Sequence, residues 1–228
     1  MGKILSYVLE RKLVSLAGYY VLFFLCAIGF VQIADEVTER EVLWLDEAVL
    51  RTINTYENNS WDVFFLVITQ LGGVAAIIVL SAGIITLLAL RRKFKAAIII
   101  GTSVAGAALL NVGLKFLFER TRPNLWEQLV LETSFSFPSG HSMISAALGF
   151  AVILICWGTR YRWFVVTFVS LYIFLIGFSR LYLGVHYPTD VLAGWLVSGA
   201  WVAIVAITLQ SGRIQLMGKK LISRKAAR

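Results

Sequence analysis

The chain has 228 residues, 59% of them hydrophobic and only 15% charged, with a mean hydropathy of +0.80 and a formal net charge of +8. A soluble domain carries roughly a quarter charged residues, so this composition excludes an ordinary soluble protein and points to a membrane protein. Two cysteines far apart in sequence, Cys26 and Cys156, supply neither a disulfide framework nor a metal-ligand spacing and read as packing residues.

In chain order, the first apolar run covers 13–34. It is too long for the hydrophobic part of a cleavable signal and lacks a small-residue cleavage site, so it reads as a retained transmembrane helix. Segments 64–90, 96–118, 141–157, 163–183 and 188–209 also approach the ~20 apolar residues that a span requires. The first of these is long and is expected to tilt or bend near Gly72-Gly73. Between it and the N-terminal run, Leu45, Ala48, Val49, Ile53 and Tyr56 recur at helical spacing. That spacing predicts an amphipathic helix within 35–63, lying on the outer interface or packed over the bundle as a lid. Asn58-Asn59-Ser60 is a formal glycosylation sequon, relevant only in a eukaryotic secretory route. Gly101, Ser103, Ala105, Gly106, Ala107 and Ala108 suit close helix packing in 96–118. The expected fold class is all-α: one domain over 1–228, a six-transmembrane bundle.

Basic residues set the orientation. With a cytoplasmic N-terminus, Lys3, Arg11, Lys12, Arg91, Arg92, Lys93, Lys95, Arg160, Arg162, Arg213, Lys219, Lys220, Arg224, Lys225 and Arg228 lie inside, which is 15 of the 21 Lys and Arg. The positive-inside rule then places both termini in the cytoplasm. Topology accounts for the positive charge, and no nucleic acid partner is needed.

The cations on the other side are unusual. Lys115 and Arg122 flank one end of the third span, Arg180 lies near the end of the fifth, and Arg120 reads as a rim charge. Both histidines of the chain, His141 and His186, fall at the same depth, as does Asp190. Any one of these cations alone reads as a snorkelling interfacial charge. Their convergence from several helices reads as a site. Lys115 and Arg122 are two helical turns apart and share a face if the helix persists, although Pro123 disfavours helix at Arg122. His186 and Asp190 are one turn apart, so the carboxylate can hold one imidazole nitrogen. Pro138-Ser139-Gly140-His141 places a cap-competent serine and a glycine at the start of the fourth span, where free N–H groups and the helix dipole receive an anion. Three cations, two histidines and a helix N-terminus suit a phosphate group.

Three segments, Lys115-x6-Arg122-Pro123, Pro138-Ser139-Gly140-His141 and Ser179-Arg180-x5-His186-x3-Asp190, resemble the signature motifs of type 2 phosphatidic acid phosphatases, in family order over 115–190. The resemblance implies a lipid phosphatase that uses neither metal nor other cofactor and works through a phosphohistidine. His186 would be the nucleophile, oriented by Asp190. His141 would be the general acid and then the base. Lys115, Arg122, Ser139, Gly140 and Arg180 would hold the phosphoryl oxygens. The implied partners are the bilayer and a lipid phosphate: phosphatidylglycerophosphate, undecaprenyl pyrophosphate or phosphatidate. The short chain and lean loops favour a bacterial cytoplasmic membrane with the site on its extracytoplasmic face, and Phe135, Phe137, Tyr182 and Tyr187 are candidates to line its entrance. The same pattern resembles vanadium haloperoxidases, which are soluble. A transporter or channel with an interfacial anion site is the alternative outside enzymology, but its permeation path would need polar groups at the midplane.

Overall fold

The computed structural model describes residues 2–226, with side chains described for residue 10 and for 12–211. Among these the only regular secondary structure is helix, and 119–139 is an irregular connection. The elements are α1 (Gly2–Glu39), α2 (Leu43–Asn54), α3 (Asn59–Leu71), α4 (Val74–Leu90), α5 (Phe94–Phe118), α6 (Gly140–Cys156), α7 (Arg162–Tyr182) and α8 (Pro188–Ala226). Of the cations that set the orientation, Lys3, Arg11, Arg213, Lys219, Lys220, Arg224, Lys225 and Arg228 lie outside the described side chains.

Among the described residues four stretches are long and apolar enough to cross a membrane: Lys12–Glu39, Phe94–Phe118, Arg162–Tyr182 and Pro188–Ser211. The pair α3–α4 is bent by 48° and supplies a fifth if it counts as one broken span. The break falls at Gly72-Gly73, where a Cβ on Gly72 would lie 2.4 Å from Cγ2 of Ile176, so only glycine lets α7 approach this closely. Tyr172 donates to the Leu71 carbonyl at 2.9 Å and closes the same junction. The sixth expected segment, α6, has 17 residues and is shorter than the other candidates. It packs against α5, α7 and α8 and buries Ser142, Met143, Ser145, Ala146, Ala147, Leu148, Gly149 and Ala151.

Two boundaries differ from the apolar-run reading. α1 continues past the acidic pair Asp35-Glu36 because Ala34 and Val37 are buried against Phe137 and Ala193. α3 begins at Asn59, earlier than 64, because the Asn58 side chain caps it by accepting from the N–H groups of Ser60 and Trp61 at 3.1 and 3.2 Å. The helix expected within 35–63 is α2, but its buried face is Asp46 and Leu50, whereas Leu45 and Tyr56 are exposed. Periodicity of apolar residues misassigns that face because its central contact is a carboxylate.

α6 and α8 meet closely where the site is built. A Cβ on Gly194 would come within 3.1 Å of the Ser139 carbonyl and 3.2 Å of the Met143 nitrogen. Ser198 donates to the Met143 carbonyl at 2.6 Å, and the Ser139 N–H donates to the Asp190 carbonyl at 3.0 Å. This junction brings the PSGH segment to the first turn of α8.

Candidate active site

The site lies under the connection 119–139, at the N-terminal ends of α6 and α8 and the C-terminal ends of α5 and α7. α5 stops at Phe118, and Glu119 caps it at φ 44°, so Arg122 lies beyond the helix. The expected shared helical face does not form. Lys115 and Arg122 still meet, because both bond the Ser134 hydroxyl, at 2.8 and 3.2 Å. The remaining donors of Arg122 reach the Ser134 carbonyl at 2.8 Å and the Val185 carbonyl at 2.7 Å.

His186 is 1% exposed and held from both sides. Its Nδ1 lies 3.2 Å from Asp190 Oδ2, and its Nε2 lies 3.1 Å from Arg122 Nη1. Arg122 is only a donor, so Nε2 accepts and Nδ1 carries the proton toward the carboxylate. Burial pushes the imidazole well below the ordinary histidine range, and Arg122, Arg180 and Lys115 push it the same way. The result is a neutral ring with one lone pair, on Nε2, facing the cations.

Arg180 is also buried. It donates to the Thr69 hydroxyl at 2.7 Å and to Glu132, and its Nε has no hydrogen-bond partner among the described residues. Ser139 caps α6 without using its side chain for the cap; its hydroxyl accepts from Ser142 at 3.0 Å. A Cβ on Gly140 would lie 3.1 Å from Asn111 Oδ1, and Asn111 in turn donates to the Pro138 carbonyl at 3.0 Å. His141 stands at the start of α6 with its Nε2 3.7 Å from the Cβ position of Gly73, at the α3–α4 break.

Three charged residues, Glu132, Arg120 and Asp46, belong to the site although their spacing does not announce it. Glu132 binds Arg180 and lies 3.6 Å from Arg122. Burial works to raise its carboxyl, but Arg180 and Arg122 outweigh this and hold it below the usual carboxylate range. An anion that reaches those guanidiniums competes with Glu132. Arg120 is no rim charge: it pairs with Asp46 at 2.7 Å and with Asp190 at 2.6 Å, 11% exposed. The alternating acids and bases of 119–132 give no spacing signal for such pairs, which close across 48 to 74 residues of sequence.

The aromatic candidates divide. Phe137 is fully buried between Phe30 and Phe118, and Tyr182 and Tyr187 are also buried, so these three build walls rather than an open entrance. Above them, Gln128 ties the connection to the α7–α8 turn by donating to the carbonyls of Pro123 and Gly184, at 2.7 and 2.8 Å. Gly184 has φ +66° and no room for a Cβ beside the Trp126 ring at 2.7 Å, so glycine is required on both counts. No three His, Cys, Asp or Glu side chains gather as metal ligands among the described residues. Cys156 lies at the far end of α6 as a free thiol.

Fold and site together define a helical membrane protein built around a buried histidine–aspartate pair in a cationic pocket. The chain belongs to the PAP2 superfamily, whose family model matches residues 96–213. It is 32% identical over 130 residues to the undecaprenyl-diphosphatase of Sulfolobus acidocaldarius, covering 55% of this chain and 60% of that one. It is 44% identical over 92 residues to phosphatidylglycerophosphatase B of Bacillus subtilis, covering 38% and 45%. The chain thus spans about half of the length of these curated relatives. The crystal structure of a transmembrane PAP2-type phosphatidylglycerolphosphate phosphatase from Bacillus subtilis superposes with a TM-score of 0.70 at 27% identity, covering 85% of this chain and 96% of that one.

The buried, neutral His186 has a thermodynamic consequence. Below about pH 6.5 the unfolded chain takes up a proton at this position that the folded protein excludes, so stability falls as the pH drops. The melting temperature in detergent is expected to decline on acidification below that point. His186→Gln should flatten the decline; an unaltered slope would assign the sensitivity to other groups.

Proposed function

We propose that the protein is an integral-membrane lipid phosphatase that transfers the phosphoryl group of a lipid phosphate or diphosphate to His186 and then to water. The observation that supports this most is the arrangement of His186: Nδ1 against Asp190, and the Nε2 lone pair directed at Arg122 among further cations. A neutral imidazole with its tautomer fixed by a carboxylate is a competent nucleophile.

In the first step Nε2 leaves the Arg122 hydrogen bond and attacks the terminal phosphorus, and the bond from that phosphorus to the leaving oxygen breaks. The leaving group is the lipid alkoxide of a monophosphate or the lipid monophosphate of a diphosphate, and His141 gives a proton to the departing oxygen. Lys115, Arg122, Arg180, Ser139 and the Gly140 N–H hold the remaining phosphoryl oxygens and stabilise their charge in the transition state. A water then attacks the phosphohistidine. His141 takes its proton, and His186 is released with inorganic phosphate. No metal or other cofactor takes part in this scheme.

The names of the relatives support phosphatidylglycerophosphate and undecaprenyl diphosphate as candidate substrates, with phosphatidate third. We further propose one domain over 1–228, six spans with α6 as the fourth, both termini in the cytoplasm of a bacterial cell, and the site at the extracytoplasmic face. Leu131, 92% exposed on the connection over the site, provides the test. In a Cys26→Ala, Cys156→Ala background, Leu131→Cys should react with an impermeant thiol reagent on intact cells. Reaction only after the cells are opened would reverse the orientation.

The two histidines should fail differently. His186→Ala is expected to abolish release from lipid and aryl phosphates alike. General acid help is worth roughly 10²–10⁴-fold where the leaving group is a strong base, and little for a stable phenolate. Under single-turnover conditions His141→Ala should therefore lose far more rate on a lipid phosphate than on p-nitrophenyl phosphate. Equal proportional losses would leave His141 as a binding residue only.

A further inference from the structure

Asp190 does not serve His186 alone. Its Oδ2 accepts from His186 and, at 2.9 Å, from the Tyr187 N–H, whereas its Oδ1 accepts from Arg120 at 2.6 Å. A guanidinium this close to a buried carboxylate cancels much of the negative charge that the carboxylate offers to an imidazole on its other side. Arg120, however, is shared. Its second arm donates to Asp46 of α2 at 2.7 Å, and its face covers the Tyr187 ring at 4.1 Å from the centroid. Asp46 is 1% exposed and fully engaged: it also accepts from the Thr189 N–H at 3.1 Å and the Thr189 hydroxyl at 2.5 Å. Burial works against the charge of Arg120, but Asp190 and Asp46 outweigh it and raise its pKa, so it stays a cation. Two carboxylates around one cation leave a net charge of −1 on the Nδ1 side of His186, opposite the cations at Nε2.

We propose that Asp46 and Arg120 are positioning residues for the nucleophile: Arg120 clamps Asp190 in its orientation, and Asp46 offsets the charge of Arg120 so that Asp190 still presents a full negative charge to His186. The inference rests on His186 being the nucleophile. When Nε2 bonds to phosphorus, the ring keeps its Nδ1 proton and becomes cationic, and the residual −1 stabilises that species. The group also gives α2 a role. This helix lies outside the three motifs and outside the region matched by the family model, yet its one buried carboxylate completes the charge balance of the site.

Asp46→Asn separates charge from shape, because the amide oxygen can still accept from Thr189 or Arg120. It is expected to lower kcat about 10- to 100-fold, with KM within about threefold, since Asp46 touches no group of the phosphate cradle. Adding Arg120→Gln removes the cation that Asp46 had offset and returns the net charge to −1, while the glutamine amide can still donate to Asp190 and hold its orientation, so the double variant should recover most of the lost kcat. A residue that merely holds the fold together would show the reverse, with two buried substitutions worse than one and the melting temperature falling in step. Full kcat in Asp46→Asn, or a double variant no faster than the single one, overturns the proposal. If Asp46→Asn does not yield a monodisperse protein in detergent, the double variant decides alone. Turnover within about tenfold of the native protein supports the charge balance, and a loss as deep as that of Asp190→Asn refutes it. His186→Ala is the control: activity retained there would remove the nucleophile itself, a result distinct from any of these.

Discussion

The hydrogen-bonded line from Arg122 through His186 to Asp190 is the constraint around which the bundle is arranged. It needs a buried imidazole, a cation at one nitrogen and an anion at the other, each drawn from a different part of the chain. Arg122 comes from the connection after α5, His186 from the turn between α7 and α8, and Asp190 from the first turn of α8. Burying three such groups is costly unless every one is paired. The surroundings meet that demand: Asp190 has the Tyr187 N–H and Arg120, Arg122 has the Val185 and Ser134 carbonyls, and Arg180 has Thr69 and Glu132.

The helical packing follows from the same requirement. α6 must present its N-terminus beside Asp190, and Gly194 permits the approach that joins Ser139 to α8. Gly72-Gly73 breaks the α3–α4 pair where it passes His141 and Ile176. Gly184 turns the chain between α7 and α8 under Trp126. The small residues thus lie where backbone must come close to the site. The lipid-facing surfaces of α1, α5 and α7 are instead broad and aliphatic or aromatic, with Phe24, Leu109 and Phe164 exposed.

Much of the site is legible in the sequence because its residue types are scarce. With two histidines and few charges in an apolar chain, His141, His186, Lys115, Arg122, Arg180 and Asp190 stand out by residue type and by their position at the ends of apolar runs. The i,i+4 relation of His186 and Asp190 translates directly into contact. What sequence spacing does not convey is pairing at long range. Asp46 falls in the segment read as an interfacial helix or a lid, Arg120 reads as a rim charge, and Glu132 belongs to no motif. Each acquires meaning only when α2 packs on α7 and α8 and the connection folds over the pocket. The helix ends differ for a similar reason. α1 outruns its apolar run because Val37 meets Phe137 across the bundle, a contact that no hydropathy window contains.

The central claim is that His186 becomes covalently phosphorylated, and the most direct measurement is to trap that species. Purified protein mixed with a phosphorus-labelled lipid phosphate and quenched in alkali within the first turnover should carry label on a peptide containing His186. The bond should be stable to base and labile to acid, as expected of a phosphoimidazole. With labelled p-nitrophenyl phosphate, whose phenolate leaves without acid help, His141→Ala should accumulate label, because the water that clears the intermediate lacks its base, and His186→Ala should carry none. Product released at the native rate by a protein that never becomes labelled, or label retained in His186→Ala, would contradict the account.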